Sequence, residues 1–278
     1  MTGDVPGVLN KTANSTFGYR MEGRVSAQAT GTYRERPSAG PLQEHFKCTW
    51  VHQLPAGAPG RIEIVPDGCI DLEWIAGSLR IAGPDRVSRT EILPLGATVI
   101  GFRFSAGSAA AWLGLPASDL LDSRIPLEEL WGIEARQLAQ AVNAASDVAA
   151  RVHALENALL RRAPSISLRH GDMRAAYRLI AGGAPPGKPL VRWLAQELDM
   201  SERTLRRRFD EAFGYGPKTL DRILRFQRFL ELARCDGDAS AAGLAAAAGY
   251  ADQAHLARES RRLTATTPRQ IVEALVDS

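Results

Sequence analysis

The sequence predicts an α+β fold with a β-rich N-terminal barrel or sandwich, a helical connector and an all-α C-terminal domain. Three features predict it. Residues 33–132 contain short runs of alternating apolar and polar residues separated by Gly and Pro, residues 133–165 show helical periodicity, and a helical motif occurs twice within 166–278. Residues 1–32 are polar and show no sustained periodicity, which predicts a flexible tail. With 278 residues, the chain has the length of about two domains.

The composition argues against several classes of protein. Apolar residues make up 45% of the chain and charged residues 23%, as in ordinary globular proteins. No apolar run approaches the roughly 20 residues that a membrane span needs, and we find no signal-peptide pattern. The three cysteines, Cys48, Cys69 and Cys235, are too few and too scattered for a disulfide framework or a zinc finger. We therefore expect a cytoplasmic protein in a reducing compartment, with no membrane partner.

The clearest strand signal predicts a hairpin. Residues 61–65 alternate, Pro66-Asp67-Gly68 has turn chemistry, and residues 69–74 alternate again. Residues 79–82 and 98–104 supply further strands, and such close spacing is typical of a small sandwich or barrel. An apolar interior of this barrel would either form an ordinary core, which we favour, or hold a ligand. The residues expected to line it are Ile64, Leu72, Trp74 and Phe102.

The connector is predicted to contain two helices, at residues 134–145 and 147–162. In the second helix, four apolar residues repeat at helical spacing and share one face. That stripe either packs on its own domain, which we favour, or forms the seam of a homodimer. Its members are Val148, Val152, Leu155 and Leu159. Residues 163–165 have the composition of an interdomain linker.

The repeated motif lies at about residues 189–210 and 239–263. In each copy, a short apolar-faced helix is followed by a tight turn and a second helix, the pattern of a helix-turn-helix whose second helix enters the DNA major groove. Ser201 is the expected N-cap in the first unit, and Gly249 supplies a left-handed turn in the second. A helix over residues 217–234, roughly 27 Å long, would hold the two units apart.

Cationic and amide side chains occupy the outer face of the second helix in each unit. Guanidinium groups pair with guanine N7 and O6 or with phosphate, and Gln suits an adenine edge. Eight Lys and Arg residues also cluster within residues 203–228, as a DNA-binding face requires. Arg261 and Arg262 are expected phosphate contacts. The candidate DNA-contacting residues are Ser201, Arg203, Thr204, Arg206, Arg207, Gln253, Ala254, His255, Arg258, Arg261 and Arg262.

At these positions the chain resembles the AraC/XylS-type family of transcriptional regulators, over about its last 105 residues. The matching elements are Leu194-Ala195, Met200-Ser201, Leu205-x-x-x-Phe209, Gly249-Tyr250-x-Asp252-Gln253-x-His255-Leu256-x-Arg258 and Thr267-Pro268. The resemblance implies a seven-helix domain whose two helix-turn-helix units contact adjacent major grooves of double-stranded DNA, with RNA polymerase as a protein partner.

The N-terminal region also resembles a domain found in some of these regulators. Pro66-Asp67-Gly68-Cys69-Ile70-Asp71-Leu72 and Gly83-Pro84 are similar to segments of a cupin-like sensor domain. Control by a small-molecule effector or by homodimerisation through residues 33–162 is a hypothesis based on this architecture.

Three residues of the second unit depart from the family's pattern. Ser260 stands where an aromatic is usual, Ala265 stands where glycine is usual, and Gly243 interrupts a helix. Replacing a buried Phe by a small residue can cost about 3 kcal/mol, and a helical Gly up to roughly 1 kcal/mol. We therefore expect the second unit to be the looser one.

Alternative functions find less support in the sequence. A metal-dependent cupin enzyme would need clustered ligands, for which His52, Asp67, Asp71 and Glu73 are the candidates. A DNA-repair methyl acceptor would need a reactive zinc-bound cysteine cluster, whereas Cys48 and Cys69 lack a CxxC partner. An architectural DNA binder without a ligand would not need the N-terminal domain. We expect no catalytic residue, metal or cofactor.

Overall fold

The computed structural model describes residues 31–38, 40–57, 60–168, 171–185, 187–235 and 240–276. The tail predicted at residues 1–32 lies outside the described residues, apart from its last two. The strands are β1 (Thr32–Pro37), β2 (Phe46–Gln53), β3 (Arg61–Ile64), β4 (Asp71–Ile75), β5 (Ser78–Ala82), β6 (Arg89–Ile92), β7 (Thr98–Phe104) and β8 (Arg124–Pro126). The fold is α+β, with the strands N-terminal and a helical C-terminal region, as predicted.

Helices follow and partly cover the strands. They are α1 (Ala109–Leu113), α2 (Leu127–Trp131), α3 (Ile133–Asn143), α4 (Val148–Arg162), α5 (Gly171–Ala181), α6 (Leu190–Glu197), α7 (Glu202–Phe213), α8 (Pro217–Cys235), α9 (Ala241–Ala247), α10 (Gln253–Thr264) and α11 (Pro268–Val276). A 3-10 turn spans Ala117–Leu120.

The strands form two antiparallel layers. Six of them make one sheet in the order β1-β2-β7-β4-β5-β8, and β3 pairs with β6 in a separate two-stranded sheet. The predicted hairpin between residues 61–65 and 69–74 is therefore wrong, because β4 pairs with β5 and β7 instead. Val65, which follows β3, is buried in the core of the C-terminal domain. This tertiary contact overrides the local hairpin signal, so β3 and β4 belong to different sheets.

Both faces of the six-stranded sheet are covered. Along β4, Leu72 and Trp74 face helices α1–α4, whereas Asp71 and Glu73 alternate with them and face the two-stranded sheet. The stripe predicted on α4 packs into the helix side of this domain, where Leu155 and Leu159 are fully buried. Since its own domain occupies this stripe, it is not a dimer seam.

The C-terminal helices α5–α11 surround the long helix α8. Its buried face carries Leu220, Ile223, Phe226, Phe229, Leu230 and Ala233. These side chains join α5, α6, α7, α9 and α10 into one apolar core. A single central helix thus fixes the position of both repeated units.

Candidate nucleic-acid interface and an interior cavity

The first repeated unit consists of α6, a tight turn and α7. Asp199 has a left-handed backbone (φ 48°), and the Met200 amide donates to the Ala195 carbonyl at 2.9 Å. Ser201 then caps α7, since its Oγ accepts from the Thr204 amide at 3.1 Å. The N-cap prediction is confirmed, and the cap also bonds the Thr204 hydroxyl at 2.9 Å.

The second unit, α9 and α10, repeats this turn. Gly249 is left-handed (φ 85°), as predicted, and the Tyr250 amide donates to the Ala245 carbonyl at 2.9 Å. Asp252 caps α10 by accepting from the His255 amide at 2.6 Å. Sequence reasoning missed this cap, although an Asp just before a helix is a recognised N-cap signal. The two units therefore share one turn geometry despite different sequences.

The second helices of both units bury one face and expose the other. On α7, Leu205 and Phe209 are fully buried, whereas Arg203, Arg206 and Arg207 are exposed. Arg206 lies 3.5 Å from Glu202 one turn earlier, a pairing that is weak at the surface. The exposed first half of α7 is therefore strongly basic.

The outer face of α10 is also polar and exposed, but less basic at its start. Leu256 and Leu263 are buried, and His255 is half-buried with its ring edge-on to Tyr250 at 5.2 Å. That ring contact holds His255 against its own unit. The exposed candidates are Gln253, Ala254, Arg258, Arg261 and Arg262.

Four of the eight basic residues predicted to form a DNA-binding face make contacts within the protein instead. Arg208 forms an ion pair with Asp172 of α5, and Arg222 lies 3.4 Å from Glu259 of α10. Arg225 pairs with Asp221, and Arg228 donates to the Ala181 carbonyl at 2.7 Å and to the Ala248 carbonyl at 3.4 Å. The Arg208 side chain is thus held by an ion pair, although it is 37% exposed. Within residues 203–228, the exposed basic side chains are those of Arg203, Arg206, Arg207 and Lys218.

The departures in the second unit have local explanations. Ser260 is fully buried, and its Oγ donates to the Thr266 carbonyl at 2.7 Å, so a hydrogen bond stands where the first unit has Phe209. Ala265 takes a left-handed backbone (φ 56°) that favours glycine. Gly243 lies in the first turn of α9, where its amide donates to Ser240 Oγ at 3.1 Å. It therefore belongs to a capped helix start and does not interrupt the helix.

Both second helices end against the N-terminal domain. Gly214, which caps α7, fits so closely that an added Cβ would lie 2.8 Å from the Ala117 carbonyl oxygen. At the end of α10, the Leu263 carbonyl accepts from the Ser88 amide at 2.6 Å. Arg207 lines an open groove between α7 and α1. The N-terminal domain therefore contacts both units directly.

A small interior cavity of about 40 Å³ lies between the two strand layers. Of the four residues expected inside the barrel, Leu72, Trp74 and Phe102 form an ordinary core against the helices, as favoured from the sequence, and Ile64 lines the cavity. Most of the side chains that line it are polar or aromatic: Tyr33, Trp50, Asp67, Cys69, Asp71, Glu73, Asp85, Arg103 and Arg124.

Three arginines tie the cavity together, each contacting two carboxylates. Arg103 lies 3.0 Å from Asp67 and 3.1 Å from Asp71. Arg124 lies 2.7 Å from both Asp85 and Glu91. Arg80 lies 2.7 Å from Glu73 and 2.5 Å from Glu91, so Arg80 and Arg124 share the Glu91 carboxylate. Burial raises the pKa of Asp85, against the lowering effect of Arg124.

The residues considered for enzymatic alternatives have other environments. Asp67, Asp71 and Glu73 pair with arginines, and among the described residues no group of three His, Cys, Asp or Glu side chains is placed to hold a metal. Burial raises the pKa of the Cys48 thiol to about 12 and raises that of Cys69 as well, which disfavours the nucleophilic thiolate. No helix in the described part of the chain is long and apolar enough to cross a membrane.

Comparison with known proteins gives two family matches. The helix-turn-helix domain family matches residues 194–274, and a domain of unknown function (DUF6597) matches residues 34–126. No curated protein matches the chain.

Solved structures provide distant similarities. ToxT from Vibrio cholerae O395 is 10% identical, over 81% of this chain and 96% of that one, with a TM-score of 0.45. Unsaturated fatty acid bound ToxT from Vibrio cholerae strain SCE256 is 11% identical, over 76% and 88%, with a TM-score of 0.43. The AraC-like transcriptional activator CuxR is 14% identical, over 73% and 86%, with a TM-score of 0.23.

Proposed function

We propose that this chain, which belongs to the AraC/XylS-type transcriptional regulators through its C-terminal domain, reads two adjacent major grooves of double-stranded DNA with its two helix-turn-helix units. That the chain is a DNA-binding transcription regulator follows from the family. The finer proposal is carried by one observation: two turns of the same geometry each present a helix with a buried apolar face and an exposed polar face.

In the first unit, Arg203, Arg206 and Arg207 are the proposed readers. They lie in the first half of α7, the part of a recognition helix that meets base edges. Their guanidinium groups are exposed and suit guanine or phosphate oxygens. Ser201, which caps the helix, and Thr204, which bonds to it, are the proposed phosphate contacts at the helix N-terminus.

In the second unit, Gln253, Ala254 and Arg258 are the proposed base contacts. They are exposed on the first turns of α10, and Arg258 occupies the position that Arg207 occupies on α7, counted from the buried leucine of each helix. Arg261 and Arg262, exposed on the last turn, are the proposed phosphate contacts. We assign His255 a supporting role through its contact with Tyr250.

The spacing of the two units suits adjacent grooves. Helix α8 has 19 residues and therefore spans about 28 Å, somewhat less than the roughly 34 Å of one duplex turn. It packs against both units, and Arg228 ties its middle to the ends of α5 and α9. Such a rigid spacer favours binding by both units at once over binding by either one alone.

The interior cavity is the proposed site of effector control. The segments that wall it, residues 65–69 and 83–85, also contact the DNA-binding helices. Gln227 of α8 donates to the Pro66 carbonyl at 2.6 Å, and Pro84 lies beside Gly214 at the end of α7. A ligand that shifts these segments would bias the position of both units, provided that it binds the two arrangements with different affinity.

The domain boundaries, the partners and the cellular location are also proposals. We propose residues 33–132 as the sensor domain, 133–165 as the connector and 166–278 as the DNA-binding domain. RNA polymerase is the proposed protein partner, and a homodimer, if it forms, uses a surface other than the stripe on α4. A regulator of bacterial genes would act in the cytoplasm, where the DNA is.

Binding to a random pool of duplex DNA, followed by fluorescence anisotropy on the selected site, tests the proposal. Arg203→Ala and Arg207→Ala should each weaken specific binding by about 1–3 kcal/mol and relax the base preference at one position. Arg269→Ala, an exposed arginine on α11, serves as the matched control and should change affinity little. A loss that is equal on every sequence would reassign the two arginines to phosphate, and no selected site at all would refute the function.

A further inference from the structure

One short segment of the N-terminal domain contacts the ends of both second helices. The Pro84 side chain lies so close to Gly214, which ends α7, that a Cβ on Gly214 would fall 3.1 Å from the Pro84 Cγ. Further along the same segment, the Ser88 amide donates to the Leu263 carbonyl at 2.6 Å, in the last turn of α10. We call residues 84–88 the bridge segment, because they join the two helix-turn-helix units by a route that does not pass through α8.

The bridge segment is fixed to the chain around the start of β8. The Asp122 amide donates to the Pro84 carbonyl at 3.1 Å, and its carboxylate accepts from the Arg86 amide at 2.8 Å and from Arg86 Nε at 2.7 Å. The buried Asp85 carboxylate accepts from Arg124 at 2.7 Å. Asp122 has a left-handed backbone (φ 54°), which a residue other than glycine keeps only where its surroundings hold it. The bridge segment is therefore a supported strap and not a loose loop.

The length of the bridge segment limits how far the two units can separate. From Pro84 to Ser88, the chain spans at most about 14 Å when fully extended. Since both ends are anchored, moving the end of α7 away from the end of α10 breaks the contact at Gly214 or the one at Leu263. Helix α8 packs against both units elsewhere, so two separate connections restrain their distance and also their relative rotation.

The bridge segment leaves the proposed DNA-contacting side chains uncovered. Both of its contacts are at the C-terminal ends of the second helices, whereas Arg203 on α7 and Gln253 on α10 lie near the helix starts and are exposed. A contact that blocked DNA would cover side chains such as these. The placement therefore indicates support of the two units and not autoinhibition.

We propose that the bridge segment sets the spacing of the two helix-turn-helix units and is thereby a specificity determinant, which selects the number of base pairs between the two elements of a bound DNA site. Adding one base pair moves the second element by about 3.4 Å and rotates it by roughly 34° around the duplex. Units held by two connections cannot follow that change without breaking a contact. This inference rests on the proposed function, since it assumes that both units bind DNA.

A spacing series tests the proposal in the full chain. The DNA site selected from the random pool is altered by inserting or deleting one or two base pairs between its two elements, and binding is measured by anisotropy. We expect the parent chain to lose affinity about tenfold for a change of one base pair, comparable to one mismatch in the site. A chain with Gly-Gly inserted between the exposed Arg86 and Val87 has a longer, more flexible bridge segment and should lose only about threefold.

Two further chains separate loss of the bridge segment from loss of the fold. Ser88→Pro removes the amide that donates to Leu263, so it should broaden the spacing preference as the insertion does. Gly-Gly inserted between Ala144 and Ala145, in the turn between α3 and α4, is the matched control and should keep the preference of the parent chain. All four chains should bind equally to DNA with only one element intact, because the bridge segment contacts no proposed reader.

Three results would overturn the proposal. The parent chain would tolerate every spacing equally, or the chain with the lengthened bridge segment would keep the preference of the parent. Tighter binding of every DNA by the lengthened chain would also overturn it, since the bridge segment would then be an autoinhibitory contact.

Distance measurements without DNA separate this inference from the proposed function. Nitroxide labels on Gln196→Cys and Ala247→Cys, at exposed positions of α6 and α9, report the separation of the units by double electron-electron resonance, with the exposed Cys235 removed by Cys235→Ser. We expect a narrow distance distribution for the parent sequence and a broader one after the insertion in the bridge segment. Equal distributions would defeat the spacing assignment alone. Broadening in a chain that binds no DNA would defeat the proposed function and leave the connection between the units standing.

Discussion

The Nε2 of Gln227, in the middle of α8, donates a hydrogen bond to the carbonyl oxygen of Pro66, 2.6 Å away. Pro66 lies between Val65 and Asp67, both of which line the cavity. One side chain therefore joins the helix that spaces the two DNA-binding units to the segment that encloses the cavity.

Replacing Gln227 should loosen this junction. We expect Gln227→Ala to lower the free energy of unfolding by about 1 kcal/mol, the usual contribution of such a hydrogen bond, and to speed amide exchange in residues 65–70. Urea unfolding and hydrogen exchange measure the two effects. Gln196→Ala, at an exposed position of α6, is the matched control, and equal behaviour of the two variants would refute the junction.

A second prediction concerns the close approach of α7 to the N-terminal domain. Gly214 has φ 80° and would place a Cβ 2.8 Å from the Ala117 carbonyl oxygen, whereas Gly183 has φ 90° and open space. Both Gly→Ala changes carry the left-handed backbone penalty of about 1–2 kcal/mol, but only Gly214→Ala adds a clash between domains.

We therefore expect Gly214→Ala to lower the melting temperature more than Gly183→Ala does, and to alter DNA affinity as well. Differential scanning calorimetry and DNA anisotropy report the two effects. Equal losses of stability would show that the two domains do not meet at Gly214.

The second unit remains predicted to be the looser one. Phe209 packs 5.0 Å from Phe213 in the core of the first unit, whereas Ser260 at the equivalent place contributes one hydroxyl bond. We expect amides of α10 to exchange faster than those of α7. Ser260→Ala should widen the difference by about 1 kcal/mol, since the Thr266 carbonyl loses its donor. Equal protection of the two helices would contradict this.

Cysteine alkylation distinguishes the regulator from a methyl acceptor. Burial raises the pKa of Cys48 to about 12, so at pH 8 the thiol form dominates and nucleophilic reactivity is low, while Cys235 is exposed. Treatment with iodoacetamide at this pH, followed by mass spectrometry, should modify Cys235 first and Cys48 only after denaturation. Rapid modification of Cys48 in the native chain would favour a reactive-cysteine function.

Periodicity predicted the elements whose faces are set by local sequence. Strand β7 has the predicted bounds, and α8 ends at Cys235, one residue beyond its predicted end. The hairpin prediction failed because Val65 packs into the other domain, a contact that no local pattern encodes.

The candidate site was predictable only in part. The exposed arginines of α7 follow from helical spacing, but spacing cannot show that Arg208 pairs with Asp172 or that Arg228 caps two helix ends. The alternation of Asp71 and Glu73 with Leu72 and Trp74 suggested one buried face. A second sheet covers the polar face as well, and the charged cavity follows from that covering.

The most direct test of the account is the sequence preference of the parent chain, Arg203→Ala and Arg258→Ala, each selected on random duplex DNA. We expect two short elements about 10–10.5 base pairs apart, with Arg203→Ala relaxing one element and Arg258→Ala the other. A single element, or two variants that relax the same positions, would contradict the claim that the two units read adjacent grooves.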